Sequence, residues 1–215
     1  MGFKNNIFIL NLYTFDYNQT PSSLLSYKNV LMVGRVDDII KGGKYGILAM
    51  SEIIKEIPDS QLTIASPIHP KDILDLVKQL KIENNTKFFG FRNNISELYL
   101  NSSVLLVTFI SEFFPMNKNE TKAHGLHIIS FDIDYYPCFQ KGVIKVDMLN
   151  YTLMAKEAIK LLKNYEYRKK MGNEAKLSLN VFNNNDTIII WDNLFISLIN
   201  GTDYFTKLKK EVKEK

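Results

Sequence analysis

The sequence is poor in the residues that staple, metallate or anchor a chain. Its one cysteine, Cys138, excludes an intrachain disulfide and a cysteine-rich zinc site. Its three histidines, His69, His124 and His127, lack metal-ligand spacing, and His124 with His127 at i, i+3 is a weak pair. No apolar run reaches membrane-spanning length, and the N-terminus lacks the charge and cleavage pattern of a signal peptide. Together these absences predict a soluble protein of a reducing, cytoplasmic compartment. Charge of one sign is also scarce: 27 Lys and Arg against 23 Asp and Glu leave +4. Much of that excess lies in the tail Lys207-Leu-Lys-Lys-Glu-Val-Lys-Glu-Lys215, so it makes no case for nucleic acid. Internal repeats and low-complexity segments are missing too.

What is present is an ordinary globular balance. The 215 residues are 46% hydrophobic and 23% charged, enough for one sizeable core or two small ones. Fourteen Phe and eleven Tyr suit packing rather than disorder. Short apolar runs read as strands at 7–10, 29–33, 61–65, 86–89, 103–108, 127–131 and 142–146. Segments of helical period fall between them, at 44–56, 70–82, 94–101 and 115–124. Helices then close the chain: one from Tyr151, one over 167–181 interrupted by Gly172, and one over 186–199 capped by Asp186 and carrying Trp191. Gly201 breaks the last of these, and Asp203 starts a charged terminal helix. Such alternation predicts an α/β, Rossmann-like parallel sheet with helices on both faces. The expected organisation is a strand and linker over 1–27, the main domain with its C-terminal helices over 28–200, and the terminal helix over 201–215.

Ser111 to Gly125, SEFFPMNKNETKAHG, holds two carboxylates, Glu112 and Glu120, with seven residues between them. Pro115 suits the start of a helix, where its missing N–H costs nothing. Glu112 then ends a strand, and Glu120 lies about a turn and a half into the helix. The helix start offers free N–H groups and the positive end of a dipole, and in an open α/β sheet anionic ligands bind there. A solvated loop with two surface glutamates fits the same spacing.

In a parallel sheet the ends of all strands share one rim. Gly34-Arg35, Ser66, Gly90-Phe91 and Glu112 should therefore converge. Arg35 has a planar fork suited to phosphate oxygens, and Lys41, in a loop with two glycines, a movable point charge. Together, beside a helix start, they suit a diphosphate. Glu120 accepts only, which suits the paired hydroxyls of a ribose, and Glu112 suits those of a second sugar. The competing reading makes Arg35 and Lys41 a surface pair answering Asp37 and Asp38.

Ordered motifs carry a resemblance. They are Val30-Leu-Met-Val-Gly-Arg-Val-Asp-Asp-Ile-Ile-Lys-Gly, the Pro58-Asp-Ser-Gln-Leu-Thr-Ile strand, Lys87-Phe-Phe-Gly-Phe91, the Glu112 to Glu120 spacing, Ala123-His-Gly-Leu126 and Arg168-Lys-Lys-Met-Gly172. From about Lys28 to Phe195 the chain resembles the C-terminal, donor-binding domain of family 4 retaining glycosyltransferases, the group 1 glycosyl transferases of GT-B fold. The resemblance implies a hexosyltransferase-type enzyme of polysaccharide or glycolipid assembly. It would move a sugar, with retention, from a nucleotide-diphosphate sugar to a glycan or lipid-linked acceptor. Arg35 and Lys41 are the implied diphosphate contacts, stabilising charge on the leaving group. Glu112 is implied to hold donor-sugar hydroxyls and Glu120 the ribose. Gly34 and the backbone at Phe113, Phe114 and Met116 would meet sugar or phosphate, and Phe91 and Arg92 would flank the base. The nucleotide sugar is the substrate; no cofactor and no metal are expected.

The pattern also departs from the family. Phe113 stands where glycine lets backbone approach the ligand. Asn117-Lys-Asn119 replace apolar residues, with Lys118 expected to point to solvent, and His127 stands where proline is usual. An acceptor-binding N-terminal domain is expected but absent from the sequence, which reads as a C-terminal half that is excised, truncated or part of a split enzyme. Alone, the chain should bind a nucleotide sugar weakly and transfer little. The alternatives are a catalytically silent nucleotide-binding module and a sugar-nucleotide epimerase of the same fold. Exposed aromatic surface around Trp191 would fit a missing partner domain; burial would make it ordinary core. The basic tail reads as a solvated amphipathic helix before a peripheral membrane contact.

Overall fold

Six short apolar runs become the strands of one sheet: β1 (Asn29–Val33), β2 (Gln61–Ala65), β3 (Thr86–Phe89), β4 (Val104–Val107), β5 (His127–Phe131) and β6 (Val143–Val146). The computed structural model describes residues 19–37, 39–111, 116–133, 142–181 and 184–201. The strand order is β3-β2-β1-β4-β5-β6, and every pairing is parallel. The Rossmann-like expectation is the architecture observed. All strand ends lie on one rim, and the order reverses between β1 and β4, where open α/β sheets form their ligand crevice.

Helices α1 (Gly43–Glu56), α2 (Lys71–Gln79), α3 (Ser96–Leu100), α4 (Met116–Ala123), α5 (Tyr151–Lys163) and α6 (Tyr165–Leu177) flank the sheet. Alternate side chains of each strand point to opposite faces. Val30, Met32, Leu62, Ile64, Val104, Leu106 and Ile129 pack on one face with Ile47, Met50 and Ile53 of α1, Ile73 and Val77 of α2, and Met154 and Ala158 of α5. Leu31, Leu105, Val107 and Ile128 point the other way, to Tyr99 of α3, Phe109 and Leu126. β4 and β5 are buried along their whole length, as parallel strands covered on both faces are.

The helix boundaries depart from the sequence reading for local reasons. α2 stops at Gln79, short of Ile82, and Lys81 beyond it takes a left-handed φ of 57°. α6 begins at Tyr165 because the Asn164 side chain accepts the Tyr167 N–H at 2.9 Å and caps it. Gly172 does not interrupt α6. A side chain there would collide with the Gly125 carbonyl, so glycine permits close approach to the end of α4. α7 (Asn184–Ile199) belongs to a separate compact unit. It starts ahead of Asp186, which lies inside the helix rather than capping it. On α7 Trp191 is half-buried and stacks on an exposed Phe195 at 5.4 Å. The strand expected at 7–10 and the helix expected from Asp203 lie outside the described residues.

Candidate functional site

Hydrogen bonds between loops assemble the rim. Gly34 ends β1 at a φ of 121°, and its N–H bonds to the Ala65 carbonyl at 3.0 Å. Gly42, at φ 59°, begins α1, and a side chain there would collide with the Thr108 carbonyl. The loop of Lys41 therefore lies directly on the end of β4. Thr108 Oγ1 donates to the Lys41 carbonyl at 2.9 Å, and the Ile110 N–H donates to the Ile40 carbonyl at 2.7 Å. Asn117 Nδ2 donates to the Val33 carbonyl at 2.9 Å, which fastens the first turn of α4 to the end of β1. Gly34, Arg35, Lys41 and the start of α4 with Met116 are thus brought together, although 81 positions separate Arg35 from Met116 in the sequence.

Their electrostatics are specific. Arg35 grips Asp37 with Nε at 3.1 Å and Nη2 at 3.4 Å. That hydrogen bond is the main reason the Asp37 carboxyl is held below its usual range. The ion pair anticipated between Arg35 and Asp37 is therefore present, on an exposed part of the rim, while Asp38 lies outside the described residues. Lys41 Nζ lies 4.4 Å from the centre of the Phe109 ring, a cation–π contact that holds the ammonium beside Gly34, itself packed on the same ring. Phe91 is 80% exposed, and the Arg92 guanidinium lies 4.8 Å over the Phe89 ring. Both follow β3, two strands from β1, or about 10 Å along the rim. A groove of about 230 Å³ opens beside α3, and of the expected site residues it is lined by Arg92 alone. Glu112, Phe113 and Phe114 lie outside the described residues.

Glu120 is half-buried on α4, and its Oε2 accepts the Tyr99 hydroxyl at 2.9 Å. Tyr99 is fully buried and stacks on His124 with centroids 5.1 Å apart. The sequence reading placed Tyr99 on an inner helix face but missed its hydroxyl; a buried tyrosine needs a partner, and that requirement was the available signal. α4 ends as its glycine suggested. Gly125 takes a φ of 68°, its N–H bonds to the Lys122 carbonyl at 2.9 Å, and the Leu126 N–H bonds to the Thr121 carbonyl at 3.1 Å, which makes a Schellman motif.

Lys118 corrects an expectation. It does not point to solvent: it is 1% exposed and donates to Ser130 Oγ on β5 at 2.9 Å. A long side chain can cross a helix–sheet interface if a hydroxyl meets its end, and β5 supplies one. Lys122, one turn on, is buried likewise and reaches Ser178 Oγ at 3.3 Å. His127 is fully buried, and its ring nitrogens make no hydrogen bond of good geometry. Burial, the largest cause, pushes it down to about 4; the Met171 carbonyl opposes this, and the Lys122 charge, the smallest cause, adds to it. Burial also lowers His124. Among the described residues, no group of three His, Cys, Asp or Glu is placed to hold a metal ion, and no helix is long and apolar enough to cross a membrane.

Known proteins resemble this chain in sequence and in fold. The model of the family "Glycosyl transferases group 1" matches residues 19–178. N-acetyl-alpha-D-glucosaminyl L-malate synthase of Bacillus anthracis is 27% identical over 168 residues, which cover 77% of this chain and 42% of that protein. The chain thus spans less than half of that relative's length. The solved structure of S. aureus TarM in complex with Fondaparinux, alpha-GlcNAc-glycerol and UDP superposes with a TM-score of 0.78 at 17% identity, over 84% of this chain and 38% of that one. The C-terminal domain of the glycosyl transferase group 1 protein LpcC from Francisella tularensis gives a TM-score of 0.63 at 18% identity, over 77% of this chain and 88% of that one. At these identities the structural likeness speaks for the fold, that of GT-B glycosyltransferases, while the family match covers most of the sequence. The chain belongs to the group 1 glycosyl transferases.

Proposed function

We propose that this chain is the donor-binding domain of a retaining, hexosyltransferase-type glycosyltransferase that uses a nucleotide-diphosphate sugar. The observation that carries the reading is the joining of Arg35, Lys41 and the first turn of α4 at the strand-order reversal. Two cations and a helix start at one crevice suit a diphosphate. As the sugar–phosphate bond breaks, negative charge grows on the leaving diphosphate, and Arg35 and Lys41 stabilise it there. Glu120 takes the ribose hydroxyls, with Met116 and Gly34 lending backbone. Phe91 and Arg92 flank the base, and Glu112, with the backbone of Phe113 and Phe114, meets the sugar. The chemistry so assigned requires no metal ion. The acceptor, a glycan or a lipid-linked glycan, is supplied across the crevice by a further domain, and any membrane contact is peripheral.

Calorimetric titration of UDP-, GDP- and ADP-sugars tests this reading. One of the three should bind, and Arg35→Ala and Lys41→Ala should each weaken it about 10- to 100-fold, the range of a lost charge-assisted hydrogen bond. Unchanged affinity in both variants overturns the site. Rapid transfer to a glycan acceptor by the 215-residue chain alone overturns the need for a second domain.

A further inference from the structure

Glu120 is held from behind by a chain of contacts that ends at the segment Thr20–Leu25. The Tyr99 hydroxyl donates to Glu120 Oε2 at 2.9 Å. Because a carboxylate oxygen only accepts, this bond fixes one edge of the carboxylate and so the direction of the other. The Tyr99 ring is completely buried and lies flat on His124, with 18° between the planes. His124 is held at both ring nitrogens. Nδ1 is 2.8 Å from the Pro21 carbonyl, so it carries the proton, and Nε2 is 3.1 Å from Ser96 Oγ, one turn before Tyr99 on α3. The His124 carbonyl in turn accepts the Ser23 N–H at 2.8 Å.

The segment that grips His124 is itself strapped down. Ser23 Oγ is 2.9 Å and 2.8 Å from the Leu100 and Ser102 carbonyls at the end of α3. Lys176 Nζ donates to the Thr20 carbonyl at 2.7 Å and to Ser22 Oγ at 2.9 Å. The buried Arg168 guanidinium bonds the Leu25 carbonyl through Nε and Nη2, and the Leu161 and Leu162 carbonyls through Nη1. Leu25 holds a left-handed φ of 57°, which is uncommon for a residue with a side chain. The strap, His124, Tyr99 and Glu120 thus form one continuous path from residues 20–25 to the Glu120 carboxylate on α4.

We propose that Tyr99 is a positioning residue for Glu120, and that the strap Thr20–Leu25 sets Tyr99 through His124. The proposal rests on the assignment of Glu120 to the ribose hydroxyls. Tyr99 touches no ligand. It acts by presenting the Glu120 carboxylate in the orientation that accepts from both hydroxyls.

The test is the preference for a ribose over a ribose without hydroxyls. UDP, GDP and ADP are titrated into the 215-residue chain, and the one that binds best is compared with its 2′,3′-dideoxy form. The affinity ratio does not depend on the fraction of folded protein, so a partly unstable variant still reports. Tyr99→Phe keeps the ring and its stacking and removes one hydroxyl; it should lower the ratio about 10-fold. Glu120→Gln should lower it at least as far, and the double variant should match Glu120→Gln alone, since both act on one contact. His124→Phe keeps a ring against Tyr99 and cuts the Pro21 tether; a fall of about 3-fold is expected. If Glu120→Gln lowers the ratio and Tyr99→Phe does not, the positioning role is overturned while the ribose assignment stands. A ratio unmoved by Glu120→Gln overturns the assignment beneath it. A ratio unmoved by His124→Phe removes the strap.

Discussion

α1 and α4 occupy equivalent places and are held by opposite means. Each follows one of the two strands at the order reversal, and each starts at the same rim. α1 buries Gly43, Gly46, Ile47, Ala49, Met50 and Ile53. α4 buries Lys118, Asn119, Thr121, Lys122 and Ala123. α1 is held by removal of apolar surface from water, which is strong and tolerant of small shifts. α4 is held by single polar contacts, Lys118 to Ser130, Lys122 to Ser178, Asn117 to Val33 and Glu120 to Tyr99. Such contacts add little net stability but tolerate one register only. The helix that carries the candidate ribose ligand is thus placed sharply and stabilised weakly.

Alanine at one buried site of each helix breaks the comparison if both respond alike. Ile53→Ala on α1 should cost about 2–5 kcal/mol in urea denaturation, because it empties part of a packed core. A loss below about 1 kcal/mol would mean that α1 is not held by its apolar face. Acid should act next, and on the α4 side. His127 titrates near 6.5 when unfolded and about 4 when folded. Between those values the unfolded chain binds a proton that the folded chain refuses, so stability is full above about pH 6.5 and falls as pH drops. The loss attributable to His127 should reach about 2–3 kcal/mol at pH 4.5, read from urea midpoints at pH 7 and 4.5. His124, lowered by burial, adds in the same direction. His127→Leu should flatten this response, and an equal acid loss in the variant would place its origin elsewhere. The smallest effect has the opposite sign. Asn119 is fully buried with neither amide atom hydrogen-bonded, so Asn119→Ala should raise stability by about 1 kcal/mol. A loss instead would show that Asn119 has a partner in solution, such as an ordered water.

The same contrast explains what could be read from the residues alone. The sheet was legible because parallel strands buried on both faces are written as unbroken apolar runs, such as Val104 to Val107. α1 was legible because its buried face repeats with the helical period. The rim followed from topology, and the Gly125 cap from the one residue type that suits a φ of 68°. α4 was not legible in the same way. Lys118 reads as pointing to solvent, and only Ser130 on β5 shows otherwise; Lys122 is met in the same way by Ser178 beyond α6. Partners that distant leave no local pattern. The Tyr99–His124–Pro21 path was hidden for the same reason: its members are spread over about eighty to a hundred positions and meet only after the sheet has formed.

The strand order also has a consequence for the newborn chain. β1 is made first among the described strands, and β2 can cover one of its edges after a single helical crossover. Its other edge waits for β4, where Val30 pairs with Val104. At roughly 5–20 residues per second, an elongating ribosome needs about 4–15 s to supply that neighbour. Throughout that interval Val30 to Val33 offers unpaired amides and bare aliphatic side chains to any other nascent chain nearby. Among the described strands, one that ends up paired on both edges is therefore also the one whose second edge waits longest during synthesis.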